Sequence, residues 1–282
     1  MTKPWNISWL KKGWLNLNNY KRTYPRIEAK TWKWVLSLFL AIGSFFLVSL
    51  VFALLGIENE ILMALLISVL SLMSLWVVDR RFILKIFLPL KMKDLLYILI
   101  GLGFSFVAVI FASIVMAQMG VQGSANPIFD ILTDENIKRF IVSTMVQFIA
   151  EEIIFIIPFL FVINKMRTKN DKLKTFVAIL VSSVIFGAMH LSTYNFNIVQ
   201  AVLVISIIRT GLSMSYVLSK NLTVTYLVHM IYDWVLIWIY LAAGQMVWIY
   251  KYLWLYKLLW SYEKLWVSKL LWIYEKIWLC KS

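Results

Sequence analysis

The chain has 282 residues, of which 62% are apolar, with a mean hydropathy of +0.81 and a formal charge of +14. Soluble domains are about half apolar; here the excess lies in blocks of membrane-spanning length. This sets aside a soluble domain in favour of an all-α, polytopic transmembrane helical bundle, and no alternating β-barrel strands are seen.

Residues 1–33 carry eight Lys/Arg and one Glu, with Trp5, Trp9, Trp14 and Trp32 interleaved. They read either as a segment resting on the membrane surface or as a disordered basic tail. No short apolar run with a cleavage site occurs there, so no cleavable signal peptide is expected. Seven spans follow, near 34–56, 61–78, 95–117, 140–163, 176–191, 198–218 and 222–243. An eighth element is left open. The link 57–60 is acidic. The link 79–94 (DRRFILKIFLPLKMKD) is basic and part-apolar, which predicts an interfacial helix. The link 118–139 is the longest polar one, and 164–175 holds five Lys/Arg and one Asp. With the N-terminus in the cytoplasm, every strongly basic link falls on the cytoplasmic side. The charge therefore calls for a lipid bilayer as partner and for no nucleic acid. The compact chain and the lack of processing or retention signals point to a bacterial cell membrane.

From Val247 the sequence becomes a hexad repeat, with Trp at 248, 254, 260, 266, 272 and 278. Six residues advance a helix by roughly 240°, so these Trp would fall on three helix faces. The tail reads as an interfacial aromatic helix or as an expansion of a short repeated unit. Seven spans would place this basic tail outside, against the positive-inside rule. The chain is thus divided into a basic segment at 1–33, N-terminal transmembrane helices at 34–118, a polar-bearing core at 140–243 and the tail at 247–282. The single Cys280 permits neither an intramolecular disulfide nor a thiol metal site.

Away from their edges, the spans hold six ionisable residues: Glu151, Glu152, His190, Arg209, His229 and Asp233. All lie in the last four spans, and the chain's two histidines are among them. A charge in the bilayer costs several kcal/mol unless it faces protein or water, so the default reading is a functional site. His229 and Asp233, four apart, share a helix face, as do Phe186 and His190. Glu151 and Glu152 differ by roughly 100° around their helix, so both can face an interior without sharing one partner. Pro158 could open that helix near the site. Such a set of acids and imidazoles could activate water and stabilise an oxyanion. It could equally hold a divalent metal such as zinc.

Three blocks carry a family resemblance: Glu-Glu at 151–152, F-x-x-x-H ending at His190, and H-x-x-x-D from His229 to Asp233, within "GLSMSYVLSKNLTVTYLVHMIYD" (211–233). In order and spacing they resemble the CPBP family, the CAAX-processing and bacteriocin-processing intramembrane proteases also called Abi. The resemblance covers about residues 140–240. It implies a fold with an intramembrane polar cavity and an endopeptidase cutting a membrane-associated protein or peptide. In such an enzyme Glu151 would activate water with Glu152 supporting it. His190 would position the water or bind a metal, and His229 and Asp233 would stabilise the oxyanion or complete the site. A metal, where used, would sit on Glu151, His190 and His229. Bacteriocin self-immunity, by proteolysis or by binding the toxin or its receptor, is the alternative function. The family's first motif reads E-E-x-x-x-R, and here Ile156 stands where Arg is expected. Arg209 could supply that cation; without it the chain would be a member that binds but does not cut.

Plainer readings stand beside these. The Glu pair and Arg209 could be structural glue, which leaves both histidines unexplained. Tyr194 and Tyr232 suit packing or interfacial anchoring, and Gly187 and Gly211 suit close helix contact. Ser143, Ser182 and Ser183 lie in no nucleophile motif.

Overall fold

The computed structural model describes residues 22–121, 132–133 and 136–252, the last ten of these by backbone alone. Most of segment 1–33, the middle of link 118–139, Cys280 and all of the repeat tail beyond 252 lie outside the described residues. The chain divides into two compact units, residues 1–233 and 234–282.

All regular structure among the described residues is helical: α1 (Thr31–Leu55), α2 (Glu60–Ser74), α3 (Phe82–Ile86), α4 (Met92–Gln118), α5 (Ile137–Lys165), α6 (Asp171–Met189), α7 (Ile205–Ser219) and α8 (Leu222–Tyr252). A 3₁₀ turn extends α2 to Val77, and a π-helical run, Val199–Val204, leads into α7. Among the described residues, seven stretches are long and apolar enough to cross a membrane: Thr31–Leu55, Glu60–Val77, Met92–Gln118, Ile137–Lys165, Asp171–Met189, Val199–Ser219 and Leu222–Ala242. Their outward faces carry exposed Phe39, Leu54, Leu99 and Val107, as expected of side chains solvated by lipid. The protein is an integral membrane protein.

In the first unit, α1 packs on α2, α2 on α5, α5 on α6, α6 on α7 and α4 on α7. Lipid tails are as apolar as leucine, so burial of apolar surface does not hold these helices together; close packing and small polar groups do. The buried stripe of α1 is Trp34, Ser37, Ala41, Ser44, Val48 and Phe52, one residue per turn and mostly small. Ser44 and Ser71 share a hydroxyl hydrogen bond of 2.9 Å, and the Ser68 hydroxyl donates to the Val146 carbonyl at 2.6 Å. Gly56 ends α1 in the left-handed region (φ 63°), and the Asn59 side chain caps α2 by accepting from the Leu62 N–H.

Gly187 and Gly211 are contact glycines. A Cβ on Gly187 would lie 2.6 Å from the Ala201 carbonyl oxygen, and one on Gly211 2.8 Å from that of Phe104. Backbone cannot yield at such distances. Gly187→Val and Gly211→Val are each expected to abolish the monodisperse peak of detergent-solubilised protein in size-exclusion chromatography, whereas Gly103→Ala, with open space around its Cβ, leaves that peak intact.

Three local expectations are revised. The link 79–94 holds only the short helix Phe82–Ile86 before α4 begins at Met92. Beyond it Pro89 lacks an N–H, and the Leu88 N–H donates to Asn221 Oδ1 (2.9 Å) while its carbonyl accepts from Asn221 Nδ2 (3.0 Å). The fifth span ends at Met189, not 191, because His190 closes the helix and a turn follows in which Asn195 and Phe196 adopt left-handed φ. Pro158 does not open its helix: α5 runs unbroken from Ile137 to Lys165.

Residues 22–30 are extended chain fastened to the bundle. Arg22 makes a two-pronged ion pair with the buried Asp94 (2.7 and 3.0 Å) and also donates to the Pro89 carbonyl. The Tyr24 ring packs on Phe159 and Tyr216, and burial pushes its phenol up to about 12, so it stays neutral. In the second unit the described residues 234–252 are helical and carry exposed Trp238, Ile239 and Tyr240.

Candidate active site

Among the described spans α5 is the most buried, with fifteen of its 29 residues buried. It carries Glu151 and Glu152, and adjacent positions on a helix face different surroundings. Glu152 is fully buried. Arg209 from α7, also fully buried, grips it with two parallel bonds, Nη1 to Oε1 at 2.8 Å and Nη2 to Oε2 at 2.7 Å. The guanidinium is sandwiched between the rings of Phe155 (4.1 Å) and Phe186 (4.6 Å). Planar Arg suits both the fork and the stack, which Lys could not reproduce. The cation expected at position 156 thus arrives from another helix, and Ile156 itself is buried core.

His229 of α8 joins the same carboxylate: its Nδ1–H donates to Glu152 Oε1 at 2.8 Å. Phe148, one turn before Glu152, stacks on the imidazole at 4.6 Å. These two contacts fix the ring and turn Nε2 towards the other acids. Asp233 Oδ2 lies 3.3 Å from Nε2 and Glu151 Oε2 lies 3.8 Å from it. The last distance is too long for a direct hydrogen bond and is of the kind a bridging water fills. Glu151 is partly exposed, and its other oxygen accepts from Gln147 Nε2 at 3.0 Å. One glutamate is therefore paired with two partners and fully buried, while the other is partly exposed and keeps Oε2 towards His229.

His190 sits at the end of α6, half-buried. Its Nδ1–H donates to the Phe186 carbonyl at 2.9 Å, which leaves Nε2 as an acceptor. The Phe186 ring lies 4.8 Å from the His190 ring and 6.1 Å from that of His229, so it neighbours both imidazoles. Glu151, Glu152, Arg209, His229, Asp233 and Phe186 thus converge, and His190 joins them through Phe186. Tyr194, in the turn after His190, is buried; that burial and the Asp233 carboxylate nearby push its phenol up, so it remains an O–H donor.

Among the described residues no group of three or more His, Cys, Asp and Glu is disposed to hold a metal ion. Within the set Glu151, His190 and His229, the His229 Nδ1–H is held by Glu152, an arrangement that orients Nε2 towards Glu151 and Asp233, while His190 meets the cluster through the Phe186 ring. Sequence reasoning missed Gln147, Phe148 and Phe155. The signal was helical spacing: Gln147 and Phe148 precede Glu151 and Glu152 by four residues.

Residues 133–235 match the family described as Type II CAAX prenyl endopeptidase Rce1-like. No curated protein and no solved structure matches the chain.

Proposed function

We propose, from the Rce1-like CAAX endopeptidase domain that residues 133–235 form, a member of a protease family, that the chain is an intramembrane endopeptidase in which Glu151 activates water to cut a membrane-associated protein or peptide. The N-terminus lies on the cytoplasmic side in this reading, in keeping with the basic links. The observation that carries it is the asymmetry of the glutamate pair. Glu152 is spent on Arg209 and His229, whereas Glu151 is partly exposed with Oε2 3.8 Å from His229 Nε2.

The steps use only this chain's groups. A water between Glu151 and His229 gives a proton to the Glu151 carboxylate as its oxygen bonds to the scissile carbonyl carbon. The carbonyl oxygen becomes an oxyanion, which the His229 Nε2–H meets in place of Asp233. The proton held by Glu151 then passes to the amide nitrogen and the C–N bond breaks, releasing a carboxylic acid and an amine; the acid's proton passes to the amine, and a carboxylate and an ammonium leave. Arg209 and Glu152 hold His229 in place throughout.

The test compares membrane-fraction peptides from three strains: wild type, a deletion, and Glu151→Gln expressed at the wild-type level. A fragment missing equally from the deletion and the Gln strain is the expected result and identifies a substrate. A Gln strain that matches wild type while the deletion differs would replace proteolysis with a binding role.

A further inference from the structure

The end of the bundle where residues 22–30 are fastened holds a cavity of about 580 Å³, formed by residues 26–30 and 163–165. Its wall follows from the sequence RIEAK. In extended chain alternate side chains point to opposite sides: Ile27 and Ala29 turn inward and are buried, so Arg26, Glu28 and Lys30 turn outward together. Asn164 fixes that register. Its Oδ1 accepts from the Ile27 N–H at 2.8 Å and its Nδ2 donates to the Pro25 carbonyl at 3.2 Å, so the chain is clamped on both sides of Arg26. Lys165 closes the cavity from α5. The lining thus has three cations against one carboxylate, and Arg26, Lys30 and Lys165 have no ion-pair partner among the described residues.

We propose that this cavity binds the phosphate headgroup of an anionic phospholipid. Charge complementarity selects the phosphate. A lipid, rather than a soluble phosphate, follows from what adjoins the cavity. α1 begins at Thr31, directly after Lys30, and its exposed Trp32, Val35, Leu36 and Phe39 offer an apolar surface on which an acyl chain can lie. The site is separate from the candidate active site: Lys165 stands fourteen residues beyond Glu151 on the same helix, about 21 Å along the axis.

The full chain in a neutral detergent would be titrated with dioctanoyl phosphatidylglycerol, dioctanoyl phosphatidylcholine and inorganic phosphate, with bound ligand counted by native mass spectrometry. Phosphatidylglycerol is expected to bind at least about tenfold more tightly than phosphatidylcholine, and the triple variant Arg26→Gln/Lys30→Gln/Lys165→Gln to lose at least about tenfold of that affinity. These side chains are exposed, so the variant should elute as wild type; should it not, Lys165→Gln alone is expected to weaken phosphatidylglycerol several-fold. The triple variant Arg167→Gln/Lys169→Gln/Lys172→Gln, which removes the same charge outside the cavity, should leave the affinity unchanged. Equal losses in both triple variants would overturn the proposal in favour of diffuse attraction. Equal affinity for phosphatidylcholine would overturn it too, and inorganic phosphate binding as tightly as phosphatidylglycerol would make this a soluble-phosphate site.

Discussion

Arg209→Gln is expected to lose both the fold and the activity, and Arg209→Lys to recover neither fully. The substitution leaves Glu152 as a fully buried carboxylate with one remaining partner, and stranding a buried charge in this way costs about 3–5 kcal/mol. Gln is also too short and too weak a donor to replace a two-pronged, charge-assisted contact. Lys would restore the charge but not the second bond or the stack between Phe155 and Phe186. The midpoint of thermal unfolding in detergent checks this directly. A Gln variant that melts with wild type would mean that Glu152 finds another cation and that the pair is not the anchor of the site.

Glu151→Gln should behave in the opposite way. Its carboxylate is partly exposed and makes one hydrogen bond, from Gln147, so the amide should fold with a midpoint within a degree or two of wild type. The amide cannot take a proton from water, and removing a general base costs about 10²–10⁴ in rate. Cleavage of the peptide found by the strain comparison is the readout. Asp at 151 keeps the base but draws it back by one methylene, so a rate between those of wild type and Gln is expected.

The spans and the convergence of charged groups were legible because a charge inside an apolar stretch has few physical explanations. Glu151, Glu152, Arg209, His229 and Asp233 stood out for that reason, and four-residue spacing put His229 and Asp233 on one face. What separates the two glutamates was not legible from composition. Adjacent and chemically identical, they differ because about 100° of helix rotation sends one onto Arg209 and leaves the other partly exposed beside His229. Phe155 and Phe148 were hidden because aromatic residues are unremarkable in a membrane helix; only the cation stacked on one ring and the imidazole on the other give them a role. The fastening of residues 22–30 was hidden as well. Five residues of alternation suit an exposed strap as well as a basic tail, and only Asn164, 137 positions beyond Ile27, decides between them.

The most direct test of the account measures unfolding midpoint and peptide cleavage side by side for purified Glu151→Gln and Glu152→Gln. A division of labour between the glutamates predicts a wild-type midpoint without cleavage for Glu151→Gln, and a markedly lowered midpoint for Glu152→Gln. Cleavage at the wild-type rate by Glu151→Gln would contradict it, since water would then be activated by some other group.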